Sequence, residues 1–113
     1  MSRIWVDDER PKPEGYSYWA KSVWDTLLMV GYVWGTDEYR EEQGILLDID
    51  HDSGSYNPEG GDYINILKAL ERAVKNGWEL EEGEIKVHFH SANPVGVKNM
   101  RAIVENCPWM EEV

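Results

Sequence analysis

Ile45-Leu46-Leu47-Asp48-Ile49-Asp50-His51-Asp52 decides the fold of this chain. Its first five residues are nearly continuous apolar sequence, as expected of a central parallel strand covered on both faces. Acids and a histidine then close the strand. In an open α/β sheet the carboxyl ends of parallel strands converge on one crevice, where ligands bind. Two other segments repeat the pattern: Ile4-Trp5-Val6 runs into Asp7-Asp8-Glu9-Arg10, and Ile85-Lys86-Val87 runs into His88-Phe89-His90-Ser91-Ala92-Asn93-Pro94. Three polar strand ends predict one site.

Outward from these strands the chain reads as a single domain over residues 1–113, without internal repeat or linker. Pro11-Lys12-Pro13-Glu14-Gly15 is a rigid loop, because two prolines and a glycine this close block a regular helix. Tyr16 to Lys21 reads as an aromatic-rich strand. Ser22, with Asp25 three residues on, caps a helix that places Trp24, Leu27, Leu28 and Gly31 on one face. Gly35 to Gln43 is an acidic connection with no packing pattern. A second helix over Asp62 to Asn76 carries Tyr63, Ile66, Leu67, Leu70, Ala73 and Val74 at helical spacing, and Gly77 stops it. Asn93-Pro94 opens a last helix burying Val97, Met100, Ile103 and Val104. The order β-β-α-β-α-β-α favours a small, open, four-stranded parallel sheet with right-handed crossovers.

Composition narrows the function. Eleven basic residues against 22 acidic ones give a formal net charge of -11. A body this acidic repels a nucleic-acid backbone, which excludes non-specific binding to long DNA or RNA. A small anion fits only where a metal or local cations reverse the field. The single Cys107 excludes an intramolecular disulfide, and no apolar run is long enough to span a membrane. The start Met1-Ser2-Arg3-Ile4 enters a strand directly and does not resemble a signal peptide. These features lead to the expectation of a soluble, cytoplasmic protein.

At the first strand end, Asp7 and Asp8 are either a solvated turn or ligands; adjacent acids repel and are tolerated best around a cation. Mg²⁺ or Mn²⁺ suits them, since hard cations take few carboxylate oxygens and keep their waters. Asp50 emerges at the end of the second strand and can ligate the same metal or attack phosphorus. Beyond it, His51 can act as acid or base near neutral pH. Asp48 and Asp52 are read as loop caps, and Glu9 with Arg10 as a surface pair. His88 is expected inside the sheet as a satisfied core histidine. His90, Ser91 and Asn93 sit at a strand-to-helix turn, where a helix N-terminus offers backbone N–H groups to an anion. Asn93 reads equally as a plain cap. Trp5, Trp19, Trp24 and Trp78 are expected in the core, whereas Trp34 and Trp109 are left open.

Val6-Asp7-Asp8-Glu9-Arg10-Pro11, Asp50-His51-Asp52 and His90-Ser91-Ala92-Asn93-Pro94-Val95-Gly96 together resemble the motifs of the cyclic-phosphate-processing receiver-like domains, from Arg3 to about Ile103. The resemblance implies an α/β, truncated receiver/flavodoxin-like three-layer sandwich. It puts Asp7 and Asp8 in the place of the receiver's metal-binding acid pair. Asp50 takes that of its phospho-acceptor, and Ser91 matches the hydroxyl residue that ends the fourth strand. Departures accompany it: no fifth strand with its lysine, a Pro/Gly loop in place of the first crossover helix, and the added His51 and His90.

The resulting expectation is a metal-dependent phosphoesterase acting on a 2',3'-cyclic phosphate end or a cyclic nucleotide signal. Asp7, Asp8 and Asp50 hold the metal, His51 and His90 divide the acid and base roles, Asp50 is the alternative nucleophile, and Ser91 with Asn93 orients the phosphate. The alternative is a non-catalytic receiver-derived module that binds a phosphorylated ligand or a protein partner.

Overall fold

Five parallel strands form the sheet, in the order β2-β1-β3-β4-β5, in a computed structural model that describes residues 1–36 and 44–113. They are β1 (Ser2–Val6), β2 (Tyr18–Ala20), β3 (Ile45–Ile49), β4 (Ile85–Phe89) and β5 (Met110–Glu112). Among the described residues the helices are α1 (Val23–Trp34), α2 (Ile64–Lys75) and α3 (Pro94–Glu105), with a single 3₁₀ turn at Gly54–Tyr56. Most of the expected acidic connection, from residue 37 to 43, lies outside the described residues. No helix among them is long and apolar enough to cross a membrane.

Local chemistry sets the helix starts. The Ser22 side chain accepts from the Asp25 N–H at 3.0 Å, and the Asn93 side chain accepts from the Gly96 N–H at 3.0 Å with Pro94 at the first helical position. Each such cap stabilises its helix by about 1 kcal/mol. α2 ends at Asn76, and Gly77 follows with φ 109°, a left-handed conformation that favours glycine.

The expected α/β parallel class holds, with two corrections. A fifth strand is present: Met110–Glu112 pairs in parallel with β4, Ile85 opposite Met110. It is short and carries two exposed glutamates, so it has little apolar pattern to betray it. The second correction concerns layers. Ile4, Val6, Ile45, Leu47, Ile49, Ile85 and Val87 are fully buried in one cluster with residues of all three helices. Register places Arg3, Leu46 and Lys86 together on the opposite face, beside Trp5, Asp48 and His88. The described helices therefore cover one face, giving two layers among the described residues where three were expected. The cause is the connection from β1 to β2, which is a loop over residues 7–17 and supplies no helix for the other face.

Three local expectations change with it. α1 turns Val23, Thr26, Val30 and Val33 inward, while Trp24 and Leu28 face solvent. Trp109 is buried, and Trp34 is exposed at the end of α1 against Trp78. β2 begins at Tyr18, which leaves Tyr16 in the loop, free to reach over the sheet.

Candidate functional site

β1 lies between β2 and β3, so the chain reverses its direction of sheet growth there. The carboxyl ends of β1 and β3 flank that switch point, the position at which open α/β sheets bind ligands. Asp7 leaves β1 and Asp50 leaves β3 at this crevice, with His90 following β4 beside them. Ligand atoms of Asp7, Asp50 and His90 all lie within 4.8 Å of one another.

Asp7 is 1% exposed and completely engaged. Its Oδ1 accepts from the Glu9 and Arg10 backbone N–H groups, both at 2.9 Å, and its Oδ2 lies 2.9 Å from His90 Nε2. Burial opposes ionisation, but these two backbone donors and the histidine outweigh it and hold the carboxyl below its ordinary value. Two tryptophans pin the segment that presents it: Trp19 Nε1 donates to the Asp7 carbonyl and Trp5 Nε1 to the Arg10 carbonyl, each at 2.8 Å. Arg10 donates to the His90 carbonyl at 3.2 Å.

His90 is held at both ring nitrogens. Nδ1 lies 2.7 Å from Asp48 Oδ1, Nε2 faces Asp7, and the ring stacks flat on Trp5 with centroids 3.8 Å apart. Two acceptor carboxylates require two N–H donors, so the ring is an imidazolium. Burial disfavours that charge, yet the bonds to Asp48 and Asp7 overcome it and raise the pKa above the ordinary value. The Trp5 ring adds a cation–π contribution. On its far side Asp48 accepts from the Tyr16 hydroxyl. Burial and then that bond push the Tyr16 phenol up to about 12. The buried chain Tyr16–Asp48–His90–Asp7 thus spans the open face of the sheet.

Asp48 is therefore no loop cap. It is buried within β3, a carboxylate in an otherwise apolar strand, and that position was the available signal. Tyr16 gave no such signal, being one aromatic among many in a Pro/Gly-rich stretch. His88 corrects in the opposite direction: it is exposed, with Nδ1 2.9 Å from the Val113 carbonyl.

Asp8 sits at the mouth. Burial first, and then the carboxylates of Glu9, Asp7 and Asp50, raise its pKa. Gly54 (φ 54°) backs directly onto it, since a Cβ there would fall 2.2 Å from Asp8 Oδ2. Below, Tyr63 is fully buried and donates to the Lys21 carbonyl at 2.7 Å; burial and then the charges of Asp8, Asp7 and Asp50 push its phenol up.

His51 follows Asp50, whose Oδ1 accepts the His51 N–H at 2.8 Å. The ring lies over the first turn of α3, where a Cβ on Gly96 would fall 2.2 Å from His51 Cδ2. Its Nδ1 is 2.8 Å from Asp52 Oδ1 and 3.3 Å from Asn93 Nδ2. One ring nitrogen cannot donate to the first and accept from the second. Because Gly96 fixes Asn93 Oδ1 as the acceptor of that amide, its Nδ2 is a donor, and the shorter contact assigns the Nδ1 proton to Asp52. Nε2 is then the acceptor nitrogen, with no hydrogen-bond partner among the described residues. Ser91 Oγ accepts from the Asn93 N–H at 3.0 Å, which leaves its hydroxyl proton available to an anion.

A hard divalent cation fits this donor set. Asp8 lies outside the group of ligand atoms within 4.8 Å of one another, but burial and then the charges of Glu9, Asp7 and Asp50 raise its pKa, and a cation beside Asp8 and Asp50 would relieve that charge. Asp7 fits less freely, since His90 and two backbone N–H groups already occupy its oxygens. A second group of potential ligands, His51, Asp52 and Asp62, is more open, and Asp62 Oδ1 is already used by Asn57 Nδ2 at 3.2 Å.

A parallel sheet with acids at its switch point and helices on its core face defines a receiver/flavodoxin-like protein. The chain belongs to the cyclic-phosphate processing receiver domain family, matched over residues 2–106. No protein of curated function and no solved structure matches it.

Proposed function

We propose that this domain is a divalent-metal-dependent phosphoesterase that opens a cyclic phosphate, either a 2',3'-cyclic phosphate end or a cyclic nucleotide. The observation that carries the reading is the convergence of three strand ends on one crevice, where Asp50 comes within 4.8 Å of the Asp7–His90 ion pair and Asp8 stands beside them. Family membership supplies the substrate class.

Asp8 and Asp50, with Asp7 behind them, would hold Mg²⁺ or Mn²⁺. Bound there, the ion supplies charge neutralisation for the phosphoryl oxygens. His51 is the proton carrier. Its Nε2 takes a proton from the water that attacks phosphorus, and Asp52 stabilises the imidazolium formed. A new P–O bond forms, one ring ester bond breaks, and the departing oxygen receives the proton from His51. The Ser91 hydroxyl and the first turn of α3 orient the phosphate. His90 takes a role different from the acid–base one its position in the sequence suggested. With both N–H groups given to carboxylates, it is a fixed cation that holds Asp7 in place.

The same locked histidine favours the second reading, a module that binds a phosphorylated ligand without turnover. Incubation with Mg²⁺ and a panel of cyclic nucleotides, followed by ³¹P NMR, separates the two. Conversion to a phosphomonoester, lost in Asp50→Asn, supports the enzyme. A stoichiometric thermal shift with the substrate resonance unchanged supports the binder.

A further inference from the structure

α1 carries an apolar face on the outside of the protein. Trp24, Leu28 and Tyr32 are 57%, 74% and 67% exposed, spaced four residues apart along one ridge of the helix. A surface helix ordinarily turns polar and charged residues outward. α2 does so with Lys68, Arg72 and Lys75, whereas the only charged residue within α1 is Asp25. In a chain with 22 acidic and 11 basic residues, an uncharged strip of this length is built for contact.

We propose that this ridge is the interface of a homodimer, in which α1 packs antiparallel against α1 of a second copy about a twofold axis passing beside Leu28. The ridge is its own complement. With Leu28 midway, the twofold sets Trp24 of each copy beside Tyr32 of the other and brings the two Leu28 side chains together. Interdigitated ridges of this spacing cross at roughly -50°. Gly31 lies in the groove flanking the ridge, and a Cβ there would meet nothing within 4 Å. That opening receives the leucine of the second copy. Antiparallel pairing also opposes the two helix dipoles favourably.

The area suits a weak, reversible dimer. At their exposures the three side chains present roughly 400 Å², a size at which surface patches are commonly functional. Two copies bury about twice that from the ridges alone and on the order of 1,000 Å² with the surrounding rim, the lower end for specific association. An apolar contact between two bodies of net charge -11 has a distinctive salt dependence. Added salt screens the repulsion and tightens the dimer, whereas it would weaken a complex with a basic partner protein.

Sedimentation equilibrium on the full chain, from micromolar to sub-millimolar concentration at low and high salt, tests this. The expected result is a monomer–dimer equilibrium half-dissociated at roughly 10 µM and tighter at high salt. Leu28→Asp is expected to be monomeric throughout, with a melting temperature near that of the wild type at concentrations where the wild type is also monomeric, since Leu28 is exposed in the monomer. Leu28→Cys should form a disulfide-linked dimer under mild oxidation. Val95→Cys, 68% exposed on α3, should not, and the native Cys107 is buried and silent. A wild-type chain that stays monomeric overturns the proposal and leaves the face to an unlike protein. So does a dimer that survives Leu28→Asp, or Val95→Cys cross-linking as readily as Leu28→Cys.

Discussion

His90 Nδ1 lies 2.7 Å from Asp48 Oδ1, joining the loop after β4 to the interior of β3. With Asp7 on the other ring nitrogen, this pair makes His90 a buried cation at neutral pH. Its folded pKa lies above the ordinary value of about 6.5. The charge therefore contributes stability in full below that pH and loses it as pH rises through the folded value. Asp7 runs the other way: its depressed carboxyl contributes above its ordinary range and ceases to do so as pH falls through the folded value. Denaturant unfolding across pH should show stability greatest between about pH 4 and 6.5, with a decline on the alkaline side. Asp48→Asn should cost about 3 kcal/mol in mild acid, the scale for breaking a buried ion pair. It should also lower the His90 titration midpoint seen by NMR. An unchanged midpoint would remove Asp48 as the partner that keeps His90 charged.

The proposed metal dependence is tested at Asp8. Its raised pKa means that burial and its acidic neighbours disfavour the charged carboxylate in the metal-free protein. Asp8→Asn is expected to raise the melting temperature without metal, and to abolish the further rise that millimolar Mg²⁺ or Mn²⁺ gives the wild type by linkage. Equal metal-induced shifts in both proteins would exclude a cation site shared by Asp8 and Asp50.

Much of this arrangement was legible in the sequence because strand ends are marked by abrupt changes from apolar to acidic residues. Val6 to Asp7 and Ile49 to Asp50 are two such steps, and each falls where a strand ends. What escaped was the interior of β3 and the far edge. Asp48 reads as polar punctuation until its neighbours in the sheet are known, because its partners come from 32 residues upstream and 42 downstream. β5 is three residues long with two acids, too short for period-two alternation to register. His88 was misplaced because its exposure depends on which sheet face the helices leave open. Alternation along a strand separates the two faces without saying which is covered.

Signalling receivers store a phosphoryl group on the strand-end aspartate, beside a lysine at the end of the fifth strand. Here β5 reads Met110-Glu111-Glu112, without a lysine, and its glutamates pair with Lys86 and Arg101. Treatment with a small phosphodonor and Mg²⁺ should leave no lasting mass increase on Asp50. A stable, stoichiometric phosphoprotein by intact-mass spectrometry would favour the signalling role over hydrolysis.

The two histidines should separate cleanly under substitution. His51 is held by Asp52 with its Nε2 open, so His51→Ala should lower turnover of a cyclic-phosphate substrate by roughly a hundredfold while leaving the melting temperature near that of the wild type. Gly96→Ala should reproduce that kinetic loss while the imidazole remains in the chain. Its new Cβ falls 2.2 Å from His51 Cδ2 and must displace the ring, although alanine suits the first turn of α3 better than glycine does. His90→Ala should instead destabilise the fold, leaving Asp7 and Asp48 buried without their common cation. His88→Ala, at an exposed position, should do neither. Thermal melts and initial rates on the four variants decide the assignment. A Gly96→Ala protein with wild-type turnover would show that His51 does not act from its seat on α3. A stable, inactive His90→Ala would return the acid–base role to His90.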